Sequence, residues 1–121
     1  MGFAIMEIKT ICNLLSAEVL CCEENLEKHV YSACGCDLMS DVLAYVKDQA
    51  VLLTGLVNPQ VIRTAVMMDM NCIVFVRSKT PSEEMLALAK ENGIVVMKSD
   101  KRLYEACGIL YSNGLVGNKV K

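Results

Sequence analysis

The sequence predicts an α/β fold, with three layers in the order α/β/α around a mainly parallel sheet of four or more strands. Three observations carry this. Residues 50–54 (AVLLT), 71–76 (NCIVFV) and 94–97 (IVVM) are short, nearly continuous apolar runs, the pattern of strands covered on both faces. Stretches with helical spacing lie between them, long enough to return the chain for a parallel strand. Each junction carries polar residues, proline or Asn-Gly where a turn belongs. Right-handed crossovers then place helices over the sheet.

The elements follow in order. Residues 7–15 place Ile8, Ile11, Cys12 and Leu15 at helical spacing. Residues 18–22 (EVLCC) read as a strand, residues 23–25 as a polar turn, and residues 30–33 as a second extended piece. These two pieces either pair as a hairpin or lie apart. Asp37 suits the N-cap of a helix over 37–46. That helix has Leu38, Val42 and Tyr45 on one face, Leu43 and Val46 beside it, and Lys47, Asp48 and Gln49 at its end. After the 50–54 strand, Asn58 caps a helix with Pro59 at its first position, where a missing N–H costs nothing. Val61, Ile62, Ala65 and Met68 are its inward residues. Residues 77–80 read as a loop, residues 81–91 as a helix closed by Asn92-Gly93. A last helix over 101–112, capped by Ser99 or Asp100, turns Leu103, Ala106, Cys107 and Leu110 inward. Asn113-Gly114 stops it, and residues 118–121 form a frayed tail.

A chain of 121 residues suits one domain, 1–121, with its core over about 7–115. Hydrophobic residues make up 54% and charged ones 21%, and mean hydropathy is +0.38. No apolar run reaches membrane-spanning length, because Gly55, Asn58 and Pro59 interrupt the longest uncharged stretch. Residues 1–6 lack the basic start and length of a signal peptide. The expected location is cytoplasmic, and the apolar excess points to a buried homodimer interface. Net charge is −2, with no Lys/Arg cluster and no Trp, so a nucleic-acid partner is not expected. Seven cysteines without an export signal read as reduced, mostly buried small apolar groups.

Two polar clusters are candidate sites. Thr54, Gly55, Asn58, Gln60 and Arg63 occupy the turn from the 50–54 strand into the next helix. In α/β folds such a turn lies at the carboxyl end of the sheet, where ligands bind. Gly55 lets a ligand approach the backbone, the helix start offers N–H groups, and Arg63 adds charge, which suits a carboxylate or phosphate. Asp37, Ser40 and Asp41 start the preceding helix. If both helices begin at one sheet edge, Asp37 lies near Thr54 and binds a hydroxyl or bridges to Arg63; plain capping is the competing reading. Cys34 and Cys36 form a CxC pair before a helix start, where a thiolate is favoured. One chain supplies too few matched ligands for a zinc or iron–sulfur site. His29 is the single histidine, and no catalytic set assembles around it. Met67, Met68 and Met70 suit a packed or self-associating face.

Three segments carry a family resemblance. CDLMSDVLAYVKDQAVLLTGLVNPQVIRTA, then NCIVFVRSKTPSEEMLALAKENGIVV and YEACGILYSNGL, resemble the DRTGG domain, chiefly through Asp37, Ser40, Asp41 and the TGxxNPQ turn. That domain occurs alone in small proteins and beside CBS domains in pyrophosphatases. The Asp-Arg and Gly-Gly elements of the family's motif are absent from residues 27–33, which read EKHVYSA; Lys28 and the Ser32-Ala33 pair stand in their place. The resemblance implies a fold like the amino-terminal domains of HPr kinase/phosphorylase and MurF. It also implies a regulatory or ligand-sensing role, often dimeric, without catalytic activity. No GxxxxGK[ST] pattern is present, so kinase activity does not carry over.

The leading expectation is therefore a non-enzymatic regulatory domain that binds a nucleotide or another anionic metabolite at the 54–63 turn through Asp37, Ser40, Thr54, Gly55, Asn58, Gln60 and Arg63. No cofactor or bound metal is expected. The alternatives are a protein–protein adaptor or dimerisation module and a cysteine-based metal or redox module.

Overall fold

The two central strands are apolar at nearly every position, and this decides the layering. A computed structural model of the chain describes residues 5–46 and 49–117. In it every residue of β5 (Ala50–Thr54) and β6 (Cys72–Phe75) is buried, whichever face its side chain meets. A sheet with that pattern must be covered on both sides.

Five strands form the main sheet, in the order β2 (Glu18–Cys21), β7 (Val95–Lys98), β6, β5, β4 (Ser32–Gly35). The last four run parallel, and β2 is antiparallel to β7. Helices α2 (Met39–Tyr45), α3 (Pro59–Met67) and α4 (Glu83–Glu91) are the crossovers and pack side by side. Helix α5 (Leu103–Ser112) packs on β4, β5 and α1 (Ile8–Leu14), which makes the opposite layer. The expected three-layer α/β fold with a mainly parallel sheet is the fold observed.

The two extended pieces of the amino-terminal third lie apart rather than forming a hairpin, because β2 and β4 occupy opposite edges of the sheet. The second piece also divides. His29–Val30 (β3) pairs with Met6–Glu7 (β1) in a separate antiparallel ribbon, and Ser32 opens β4. Residues 23–25 form a single 3₁₀ turn.

The structure corrects the expected faces of α2 and α3 and the expected caps of α2 and α5. On α2 the buried residues are Met39 and Val42, with Val46 after it, while Leu38, Leu43 and Tyr45 are exposed. Leu38, Val42 and Tyr45 satisfy helical spacing, but Leu38 is the N-cap, and the stripe that meets the core is Met39, Val42 and Val46. Asp37 does not cap it: Leu38 occupies the N-cap without a side-chain bond. On α3, Thr64 is buried with Val61, Ile62 and Ala65, and Met68 is only partly covered. Helix α5 starts at Leu103 with Arg102 at the N-cap, so neither Ser99 nor Asp100 caps it. The Asn58 cap with Pro59 behind it is present, as Asn58 Oδ1 accepts from Gln60 N at 2.8 Å. Ser82 likewise caps α4 by accepting from Met85 N at 3.2 Å. Residues Lys47 and Asp48 of the expected α2 end, and the expected frayed tail 118–121, lie outside the described residues.

Ser99 instead holds the end of β7 in place. Its buried hydroxyl donates to Leu15 O at 2.8 Å and accepts from Lys101 N at 3.2 Å. Its backbone N–H donates to Phe75 O, and its carbonyl accepts from Ser78 N. Ser99→Ala removes the hydroxyl and strands a buried carbonyl at the end of α1. Urea unfolding should show a loss of about 1–3 kcal/mol, the cost of an unsatisfied buried group; an unchanged midpoint would remove Ser99 from this role.

Candidate functional site at the carboxyl edge of the sheet

The parallel strands β4 to β7 all end at one edge, so the residues that follow them converge there. After β4 comes Asp37, after β5 Gly55, after β6 Arg77 and Ser78, and after β7 Asp100 and Arg102. The chain leaves β6 into α4 on one face and β7 into α5 on the other. Adjacent strands with departures to opposite faces open a crevice at their carboxyl ends, which is where open α/β sheets bind ligands.

Asp37 is the first member. Its Oδ1 accepts from Thr54 Oγ1 at 2.8 Å and from Gly55 N at 2.8 Å. Thr54 is fully buried, and its hydroxyl oxygen also accepts from Leu56 N at 3.1 Å. The carboxylate therefore latches the β5 turn from the neighbouring strand's end. The expected proximity of Asp37 to Thr54 is present, with Thr54 as the hydroxyl bound.

Gly55 is the second, and its missing side chain makes room for a cation. A Cβ at this position would lie 2.5 Å from Arg77 Nη2 and 3.1 Å from Arg77 Nε. The guanidinium thus covers the bare backbone of Gly55. The sequence pattern marks 77–80 only as a loop and does not single out Arg77. A signal was available: Arg77 directly follows a parallel strand, so it must emerge at the same edge as Gly55. Arg77 and Ser78 both have φ of +57°, a left-handed conformation that costs non-glycine residues energy and clusters at functional sites. Their backbone N–H groups donate to Lys101 O at 2.8 Å and Ser99 O at 2.9 Å, which holds the strained corner against the β7 turn.

Arg77, Ser78, Asp100 and Arg102 line an open depression of about 380 Å³. Ser78 Oγ donates to Asp100 Oδ1 at 2.5 Å. Among the described residues neither Arg77 nor Arg102 makes an ion pair or a side-chain hydrogen bond. Two unpaired guanidinium groups in a crevice are suited to a planar or tetrahedral anion.

The other expected residues are distributed around this centre. Asn58 and Gln60 serve the α3 start, Asn58 as the cap and Gln60 Nε2 by donating to Thr64 Oγ1 at 3.5 Å. Ser40 and Arg63 are exposed on α2 and α3. The structure thus joins Asp37, Thr54 and Gly55 directly, and it adds Arg77 to them.

The cysteine pair behaves differently from its expectation. Cys34 was expected to favour a thiolate, yet burial, then the neighbouring Cys36, Cys107 and Asp41, push its thiol up to about 11. Burial first, then Cys21, raises Cys22 to about 11 as well. Cys72 is raised by complete burial. All seven cysteines are free. Among the described residues no group of three or more His, Cys, Asp or Glu side chains is placed to hold a metal ion, and no helix is long and apolar enough to cross a membrane.

Comparison with known proteins gives two results. The DRTGG domain profile matches residues 10–112. The chain is also similar in structure to the CBS and DRTGG domains of the regulatory region of Clostridium perfringens pyrophosphatase, solved in complex with the activator diadenosine tetraphosphate. The TM-score is 0.72 at 15% identity, over 95% of this chain and 52% of that one. At that identity the likeness shows the fold, and this chain spans about half the length of the other. No curated protein matches the sequence.

Two outcomes follow from this geometry. Gly55→Ala should change unfolding free energy by less than about 1 kcal/mol, since Gly55 has no positive φ and the atom met is the tip of a flexible side chain. It should nonetheless displace the Arg77 guanidinium, which a crystal structure of the variant would reveal. The second concerns pH. The folded state holds protons on Cys34 and Cys22 more tightly than the unfolded chain, whose thiols titrate near 9.0. Their contribution to stability is complete below about pH 9 and is lost as pH rises toward 11. Urea unfolding under reducing conditions should show this decline, and Cys34→Ala should flatten it.

Proposed function

The chain belongs to the DRTGG family, and from that premise we propose that it is a regulatory domain without catalytic activity that senses a small anionic ligand, with nucleotides the first class to test. The ligand would bind at the carboxyl edge of the sheet, over the turn formed by Thr54, Gly55, Asn58 and Gln60, with Asp37, Ser40 and Arg63 around it. The observation that carries the reading is Arg77: an unpaired guanidinium lies over a glycine backbone at the place where α/β sheets bind ligands. The activator named with the pyrophosphatase regulatory region is itself a polyanionic nucleotide, which supports starting with that class. In this reading the chain is one domain, 1–121, working in the cytoplasm as a homodimer.

A second reading, an adaptor or dimerisation module, is favoured by one observation. Leu38 at the N-cap of α2, Tyr45 on α2, and Val66 and Met67 on the neighbouring α3 are exposed, and exposed apolar surface marks association sites. Light scattering separates the readings, because a closed dimer hides that surface and a monomer presents it to another protein.

Thermal denaturation with diadenosine tetraphosphate, ATP, AMP and sugar phosphates tests the leading reading. A true ligand at roughly a hundred times its Kd should add about 2.7 kcal/mol, several degrees in melting temperature. Arg77→Ala should abolish the rise. A panel in which no anion moves the transition would end the sensing role at this edge.

A further inference from the structure

The carboxylate and the guanidinium that meet at Gly55 do not pair with each other, and this points to the ligand's chemistry. Asp37 Oδ1 contacts Gly55 N at 2.8 Å, and the Arg77 guanidinium covers the same residue's open side. Among the described residues no ion pair joins the two. We infer that this edge recognises a phosphorylated polyhydroxy compound, its phosphate held between Arg77 and Arg102 and a hydroxyl of its sugar part donating to Asp37 Oδ2. The inference rests on the reading of the carboxyl edge as an anion site and names the class of anion.

Each half has its own support. Arg77 follows β6 and Arg102 follows β7, and both line one depression of about 380 Å³ with Ser78 and Asp100. Both guanidinium groups lack an ion-pair partner among the described residues. The Asp100 carboxylate already accepts from Ser78 Oγ, so its nearer oxygen is occupied and the two arginines outnumber it. Guanidinium pairs bind phosphate oxygens through several donors at once. On the other side, Asp37 directs both of its protein hydrogen bonds to Oδ1. Oδ2 takes neither of these bonds, and Asp37 is exposed. A carboxylate oxygen accepts from a hydroxyl donor and repels a phosphate, so the two ends of the site select different parts of one molecule.

Calorimetric titration with ribose 5-phosphate, propyl phosphate and citrate decides the matter. Ribose 5-phosphate should bind about tenfold more tightly than propyl phosphate, the worth of one hydrogen bond to a charged group. Arg102→Ala should weaken both phosphates. Asp37→Asn keeps an acceptor for Thr54 and Gly55 while replacing Oδ2 by a donor, and it should lower ribose 5-phosphate to the level of propyl phosphate only. Equal binding of the two phosphates by the parent protein overturns the hydroxyl contact, whatever the Asp37 variant does. Phosphate binding that needs Arg77 but survives Arg102→Ala overturns the crevice and leaves the anion-sensing reading standing. Citrate binding through Arg77 without either phosphate does the same, whereas no binding of any anion ends both.

Discussion

The burial of the central strands on both faces is the constraint on which the rest of this molecule depends. Leu52, Leu53, Ile73, Val74, Val96 and Met97 are all inaccessible to solvent, so none of the central strands has a face left for polar chemistry. Every hydrogen-bonding side chain near the sheet is displaced to a strand end. Thr54 is buried at the last position of β5, and Ser99 is buried just beyond β7. Each must bring its own partners, because an unsatisfied hydroxyl in such a place is costly. Thr54 finds Asp37 just beyond the neighbouring strand β4, and Ser99 finds Leu15 in the layer of α1 and α5. Polar satisfaction at the carboxyl edge therefore ties together segments far apart in sequence.

Those ties make the edge a preformed surface. Asp37 fixes Gly55 through its backbone N–H, the Arg77–Ser78 corner is hydrogen-bonded to the β7 turn, and Arg77 returns across β6 to Gly55. Four successive strand ends are thereby held in relation to one another by contacts that include a cation without a counter-ion. A surface held this way would lose little conformational entropy on binding the proposed ligand. In the proposed function, a ligand seated on Arg77 would bear on the ends of both β6 and β7, because the Arg77–Ser78 corner is hydrogen-bonded to the β7 turn.

The legible parts of the fold were those decided by local pattern. Continuous apolar runs identified β5, β6 and β7, and Asn58-Pro59 marked the start of α3 because capping depends on adjacent residues. The same local rule makes Asp37 a cap, and it loses to a long-range one: the carboxylate gains bonds from Thr54 at the end of β5 and from Gly55 just beyond it. The inner face of α2 was misplaced because Leu38, Val42 and Tyr45 satisfy helical spacing as well as Met39, Val42 and Val46 do. Only the sheet's position chooses between them. Arg77 was invisible as a site residue, since nothing in RSKT marks it. Its significance comes from a glycine 22 residues earlier (77 − 55) that lacks a side chain where the guanidinium lies.

The altered family motif bears on a different part of the molecule. Residues 27–33 precede and open β4, and Ser32 pairs with Ala50 at the start of β5. Lys28, His29 and Tyr31 line a polar depression with Gln49, Asp69 and Asn71, at the amino ends of the parallel strands. Asp37 and Gly55 lie beyond the opposite ends of those strands. A β-strand advances about 3.3 Å per residue, so β4 alone separates the two edges by more than the reach of a hydrogen bond. The substitutions in EKHVYSA therefore cannot remove contacts made by Asp37, Gly55 or Arg77. Residues 27–33 thus lie at the amino edge of the parallel strands, apart from the carboxyl-edge surface around Gly55.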